Sequence, residues 1–385
     1  MTALDRIRAY HPELTVIRRD LHAHPEIGFR EERTSGIVAE RLAAWGVEVH
    51  RGIGGTGVVG VLRGGGDARR VGLRADMDAL PITEATGVPY ASTRPGTMHA
   101  CGHDGHTAML LGAARYLAET RAFDGTAVFI FQPAEEGLGG ARAMLADGLF
   151  ERFPCDEIYG LHNAPDLPLG QVAARPGPAM AGADFFDVRL AGRGSHGAYP
   201  HRGVDPMPGA FALGQALQTV VSRAVDPLEA AVVSVTQVHA GAAYNVIPDG
   251  VHLAGTMRTF DDRVRVLTRE RLRALAEGIA AAHGLVAQVD IRDIFTVLDN
   301  HPAATQAAAD AVRELFGDGA LDPDPQPQMG SEDFADMLRA VPGAYVWLGA
   351  GGGAALHNAA YDFNDEILPL GAALLARLVE RRCTA

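Results

Sequence analysis

The sequence predicts an α/β chain: a discontinuous domain with a mixed, largely parallel sheet (residues 1–180 and 298–385), into which a ferredoxin-like α+β domain (181–297) is inserted. Three observations predict it. Short apolar runs alternate with helical patterns through the first 180 residues, a β-α-β-β-α-β order follows, and the first style resumes after it. A chain of 385 residues also exceeds one small core, and ordinary domain sizes suggest roughly two or three domains.

From Leu4 to Trp45 apolar positions recur at helical spacing, with a turn marked by Pro25 and Gly28. His22 and His24 flank that turn and read as helix-end or loop packing, with a supporting role at a site as the alternative. Val58–Leu62, Val71–Leu73, Thr126–Phe131 and Glu157–Leu161 read as buried strands. Acidic or imidazole side chains follow each of the last three: Asp76 and Asp78, Glu135 and Glu136, and His162. In a parallel sheet ligands bind beyond the carboxyl ends of the strands, so these groups can converge.

In the inserted segment, Asp184–Leu190, Ala230–His239, Val251–Thr259 and Val286–Val297 read as strands, and Asp205–Arg223 and Asp262–His283 as helices. Beyond it come a helix at Ala303–Phe316, a helix start with Ser331 as its cap, and a strand at Ala344–Leu348. The strand opens into Gly349–Gly353 and then His357. The glycine run lacks the Gly-Lys-Ser/Thr of a phosphate cradle.

The formal charge of −13 argues against general affinity for nucleic acid or anionic membrane. No signal-peptide pattern opens the sequence and no apolar run is long enough to span a bilayer, so the cytoplasm is the expected location. Three cysteines, Cys101, Cys155 and Cys383, build no disulfide framework, which leaves Cys101 as a thiol or a metal thiolate.

The densest chemistry lies between Met98 and Met109, where His99, Cys101, His103, Asp104 and His106 are separated by glycines ahead of an apolar helical run from Ala108. A surface turn would account for any one of these residues. Together they point to a transition-metal site on a loop that feeds a buried helix. A binuclear hydrolytic site needs a bridging anion and a few terminal ligands around two cations about 3.5–4 Å apart. Cys101 could bridge, and His103, Glu136, His162 and His357 could fill the terminal positions, leaving Glu135 to face the cleft as a proton acceptor. A solvated acidic pair at 135–136, and capping roles for Asp76 and Asp78, are the plainer alternatives.

The motifs Arg74-Ala-Asp-Met-Asp-Ala-Leu-Pro, Met98-His-Ala-Cys-Gly-His-Asp-Gly-His, Gln132-Pro-Ala-Glu-Glu, Gly160-Leu-His-Asn, Gly194-Ser-His-Gly and Leu356-His-Asn resemble those of the metallopeptidase M20 family. The resemblance runs in order from about His22 to Asn364. Within the family the chain is similar to the amidohydrolase branch of hippurate hydrolases, N-acyl-amino-acid amidohydrolases and auxin-conjugate hydrolases.

The resemblance implies hydrolysis of the amide bond of a small N-acyl amino acid by a metal-activated water. By similarity, Cys101, His103, Glu136, His162 and His357 bind two divalent ions (Mn²⁺, Zn²⁺, Co²⁺ or Ni²⁺) per subunit, Glu135 is the general base and Asp78 orients a ligand. Asp76 departs from the wider superfamily, where a histidine ligand usually stands. The inserted domain corresponds to a lid and dimerisation domain, implying a homodimer or homotetramer in which His196 reaches a neighbouring subunit's site to polarise the scissile carbonyl. Asn245 and Arg258 stand where the family contacts substrate, Arg258 pairing with a free carboxylate or, equally, being a plain surface arginine.

Three competing functions remain at this stage. One is a metallo-dipeptidase or aminopeptidase of the same family. Another is a thiol enzyme using Cys101, which chelation would leave active. The third is a non-catalytic binding protein, whose signature, a lost base or ligand, the sequence does not carry.

Overall fold

The computed structural model describes residues 2–66 and 69–384. The chain divides into two compact units, one of Met1–Gly177, Asp299–Gln326 and Asp333–Ala385, the other of Pro178–Leu298 and Pro327–Glu332. The sequence reading leaves 327–332 with the first unit. Backbone pairing draws it into the second, because Gln328 N–H donates to Ala179 O and Ala181 N–H is shared by the carbonyls of Gln328 and Gly330.

The first unit is built on an eight-stranded sheet in the order 48–53, 57–63, 126–132, 70–76, 157–164, 343–349, 172–173, 321–322. The four central strands, Thr126–Gln132, Arg70–Asp76, Glu157–Ala164 and Gly343–Gly349, run parallel to one another. Every residue of Thr126–Gln132 and Gly343–Gly349 is buried, as expected where helices cover both faces of a parallel sheet. The sheet is mixed, as expected, with Gly57–Arg63 antiparallel to Thr126–Gln132 and to an edge strand that the sequence does not announce, Glu48–Ile53. Its burial is patchy, so the strand carries no clear apolar alternation to announce it.

The helix His103–Thr120 buries most of its residues on all sides, packing against Leu368–Arg382 and His11–Ala23. Its small residues permit this closeness: a Cβ on Gly112 would stand 2.9 Å from Leu14 Cδ1 and 3.0 Å from Ala372 Cβ. The helix begins at His103, so His103, Asp104 and His106 sit in its first turn and not in the loop that the sequence suggests.

The second unit carries a four-stranded antiparallel sheet in the order 231–239, 250–259, 182–191, 286–295. Helices Pro206–Thr219 and Asp262–Ala282 pack on it over a core that includes Phe186, Leu213, Leu253, Met257 and Leu272. This is the ferredoxin-like order expected from the sequence. A bulge at Val235/Gln237 bends one edge strand. Among the described residues no helix is long and apolar enough to cross a membrane.

Candidate metal centre

The parallel strands bring their carboxyl ends to one edge of the sheet. Asp76 closes its strand with Asp78 just beyond, Gln132 closes the next, and Glu135 and Glu136 follow across a Pro-Ala turn. His162 lies inside its strand, which runs on through Asn163 to Ala164, beyond the end predicted at Leu161. Pairing of Leu348 with Asn163 and Gly349 with Ala164 extends the ladder that far.

The backbone is forced at two of these places. Ala134 and His357 have φ of 53° and 62°, two of four non-glycine residues in the left-handed region among those described. Such a conformation costs of order 1–3 kcal/mol and persists only where neighbours hold it. Here Ala134 N–H donates to the buried Glu31 carboxylate at 2.9 Å, and His357 N–H donates to Ala100 O at 2.8 Å.

The side chains converge on Cys101. Its Sγ lies 3.4 Å from His162 Nε2 and 3.3 Å from His357 Nε2. Glu136 Oε1 is 3.4 Å from His357 Nε2 and 4.0 Å from His103 Nε2. Glu135 also reaches this cluster, with a carboxylate oxygen within 4.8 Å of ligand atoms of His103 and Glu136. Asp78 spans two members, its Oδ1 3.2 Å from His103 Nδ1 and its Oδ2 accepting Glu136 N–H at 3.0 Å.

Two polar atoms at the centre, His103 Nε2 and Glu136 Oε1, are buried without a hydrogen-bond partner. Buried polar atoms are normally satisfied, and one aimed at a cluster of sulfur, nitrogen and oxygen donors calls for a cation. The five expected ligands, Cys101, His103, Glu136, His162 and His357, therefore fit divalent metal ions in both donor chemistry and placement.

The electrostatics agree. Burial opposes a charge on His103, but Asp76, Cys101 and Asp78 outweigh it and raise its pKa well above the usual imidazole value. The closeness of Cys101 and then Glu136 pushes His357 up to about 10. Burial, reinforced by His106 and His103, holds His162 well below the ordinary range. The surroundings thus favour positive charge beside His103 and His357. Burial raises the Cys101 thiol pKa, which makes it a poor free nucleophile and weighs against the thiol-enzyme reading.

Asp76 is otherwise engaged. Arg74 Nη1 donates to its Oδ2 at 2.7 Å, and His106 Nδ1 is 2.6 Å from its Oδ1. His106 in turn reaches Asn163 Oδ1 at 2.6 Å, and Asn163 Nδ2 donates to Tyr361 Oη at 2.7 Å. His22 Nδ1 lies 2.9 Å from Asp104 Oδ2, whereas His24 turns back to Asp20 O.

The sequence reading passed over Arg74, Gln132 and Asp333. Arg74 is fully buried and donates to Gln132 and Asp333 as well as Asp76. Asp333 N–H donates to Glu135 Oε1 at 3.4 Å, tying this network to the expected base. An arginine amid a continuous apolar strand was the available signal. Ser331 does not cap the following helix, which starts at Phe334 behind Asp333. Its hydroxyl donates to Ala181 O and accepts from Arg258.

The remaining expected residues lie in the second unit. His196 is exposed on the two-residue strand Ser195–His196, paired with Val246, and Asn245 O accepts Gly197 N–H at 2.7 Å. The first two are thus neighbours. Arg258 is half-buried on Gly250–Thr259, donating to Ser331 Oγ at 2.6 Å, and burial lowers its pKa. It is not a plain surface arginine.

Residues 72–381 match the model of peptidase family M20/M25/M40. The chain belongs to this family. It is 42% identical over 378 residues to the hippurate hydrolase of Campylobacter jejuni, covering 98% of each chain. It is 40% identical over 373 residues to an N-acetylcysteine deacetylase of Bacillus subtilis, covering 96% of this chain and 97% of that one. Its fold superposes with a TM-score of 0.86 on the crystal structure of Bacillus subtilis YXEP, described as a dinuclear metal binding peptidase of the M20 family, at 36% identity over 98% of this chain and 99% of that one. As an M20 enzyme the chain is a metal-dependent amidohydrolase acting on a small molecule.

Proposed function

We propose that this M20 enzyme hydrolyses the amide bond of N-acyl amino acids, of the hippurate or N-acetyl type, at the strand-end cluster. The observation that carries the reading is the convergence of Cys101, His162 and His357 beside the unpartnered His103 Nε2 and Glu136 Oε1. Cys101, His103, Glu136, His162 and His357 would hold two divalent ions, Mn²⁺, Zn²⁺, Co²⁺ or Ni²⁺. When bound, such ions supply Lewis acidity and lower the pKa of water.

Glu135, beside this cluster and held by Asp333 N–H, takes the proton of the attacking water and delivers it to the departing amino nitrogen. Asp78 acts as a positioning residue, engaging His103 Nδ1 so that Nε2 is the atom offered to metal. His196 supplies positive or hydrogen-bonding character to the developing oxyanion in a neighbouring subunit. Arg258 receives the substrate carboxylate and Asn245 a backbone-like polar group. Residues 1–180 and 298–385, apart from the segment 327–332, would form the catalytic domain, and 181–297 with that segment the lid and dimerisation domain, of a cytoplasmic homodimer or homotetramer.

The test is a panel of benzoylglycine, N-acetyl amino acids and dipeptides, assayed with purified protein after chelation and after return of each ion. Loss and recovery of N-acyl amino acid hydrolysis is expected. Activity that survives chelation sinks the metal reading, and turnover of dipeptides alone sinks the substrate class.

A further inference from the structure

The turn marked by Pro25 and Gly28 does more than separate two helices, because the segment from Glu26 to Glu31 packs against both turns that carry the site's carboxylates. Glu26 O accepts Ala79 N–H at 2.9 Å, and Ile27 bridges to Ala79, the residue after Asp78. Gly28 approaches Ala134 so closely that a Cβ on it would stand 2.9 Å from both Ala134 Cα and Ala134 Cβ. Three residues further on, Glu31 is fully buried and accepts Ala134 N–H at 2.9 Å.

The segment is itself held in place. The Glu26 carboxylate accepts the N–H groups of Arg33 and Thr34 at 3.1 and 2.9 Å, at the start of the helix Glu32–Ala44. Glu31 O accepts Ser35 N–H at 2.8 Å, and the second oxygen of its side chain accepts the Thr56 hydroxyl. The Glu31 carboxyl group is thus fixed before it meets Ala134.

Buried carboxyl groups hold alternate amides of the turn that bears the proposed base. Glu31 takes Ala134 N–H, Asp78 Oδ2 takes Glu136 N–H at 3.0 Å, and Glu135 lies buried between them. Ala134 has a φ of 53°, a conformation that alanine leaves when nothing opposes it. Relaxation to an extended or right-handed backbone would rotate the following peptide and redirect both glutamates. A hydrogen bond to a buried carboxyl group is strong enough to oppose that relaxation, and this one comes from 103 positions away.

We propose that Glu31 is a positioning residue for the reaction: by holding Ala134 in the left-handed conformation it aims Glu135 at the substrate and Glu136 at the metal centre. The proposal rests on the roles given above to Glu135 and Glu136.

The test compares full-length wild type with Glu31→Met, which keeps side-chain length but removes both oxygens, and with Glu31→Gln, which keeps an oxygen for Ala134 N–H. Ala134→Gly is made alone and in the Glu31→Met background, since glycine takes a positive φ without an anchor. Each protein is assayed for kcat and for the chelator concentration that strips its metal. Both are expected to fall about tenfold or more in Glu31→Met, to stay within about threefold of wild type in Glu31→Gln and Ala134→Gly, and to recover most of the loss when Ala134→Gly is added to Glu31→Met. Wild-type behaviour of Glu31→Met overturns the proposal, as does a Glu31→Gln variant equally impaired or a double variant without recovery. Should Glu31→Met fail to fold, Thr56→Val, at a half-buried position, loosens the same carboxyl group and is read in the same way with and without Ala134→Gly. Glu136→Gln separates the two readings: wild-type metal retention there overturns the ligand set and the proposal with it, whereas metal loss there beside an unaffected Glu31→Met overturns the role of Glu31 alone.

Discussion

Asp78 holds His103 by its Nδ1, 3.2 Å away, and with its other oxygen accepts the backbone N–H of Glu136. One carboxylate thereby sets the direction of two proposed ligands. Hydrogen bonds of this kind fix the tautomer and angle of a metal-binding imidazole, and their loss typically costs about 10- to 100-fold in metal affinity. Asp78→Asn removes the charge while keeping the volume of a fully buried side chain. The variant should lose divalent metal to a competing chelator at correspondingly lower chelator concentration. Wild-type metal retention would show that Asp78 orients nothing.

Glu135 sits within 4.8 Å of the His103 and Glu136 ligand atoms without being one of the five expected ligands. Glu135→Ala should retain fold and metal content yet lose turnover by about 10²–10⁴, the range for a positioned acid–base group. Metal analysis and steady-state kinetics on the same sample check this. Near wild-type turnover would remove Glu135 from the mechanism.

Gly102 precedes the helix that carries His103, at a φ of 92°. A Cβ there would stand 2.3 Å from Asn163 Oδ1 and 2.9 Å from Tyr361 Oη, both part of the chain of contacts that leads through His106 to Asp76. Gly102→Ala should therefore destabilise by more than the roughly 1–2 kcal/mol of a left-handed alanine alone, and lower activity by moving Cys101 relative to His103. Denaturant unfolding with and without metal measures both parts. An alanine variant of wild-type stability would contradict the close approach.

His22 is buried against Asp104. Burial opposes its charge, but Asp104 outweighs that effect and raises its pKa above 6.5. A raised folded-state pKa means that the folded protein holds this proton more tightly than the unfolded chain. The resulting stability is fully present below pH 6.5 and is lost as pH rises through the folded value. The stability gap between wild type and His22→Gln should thus be widest at pH 6 and narrow steadily on the alkaline side, with metal kept saturating. A gap that is constant or widens with pH would mean that His22 is neutral in the folded state.

The sequence by itself determined the family and picked out ligand-type and acid–base side chains at the strand ends and around Cys101. Those signals are local: Cys101 and His103 are two positions apart ahead of an apolar helical run, and the adjacent Glu135 and Glu136 follow a recognisable apolar strand. The same local patterning made the alternating α/β style and the inserted β-α-β-β-α-β unit legible, because periodicity needs only a short window. Tertiary structure alone decided which of those residues meet. The sequence leaves the role of Asp76 open, and in the fold Arg74 and His106 occupy its oxygens. Arg74 itself is satisfied partly by Asp333, 259 positions away, and Ser331 leaves its expected cap to join Arg258. The physical reason is that a buried charge must find its partner in space, and parallel strands bring that partner from wherever the chain returns to the same sheet edge.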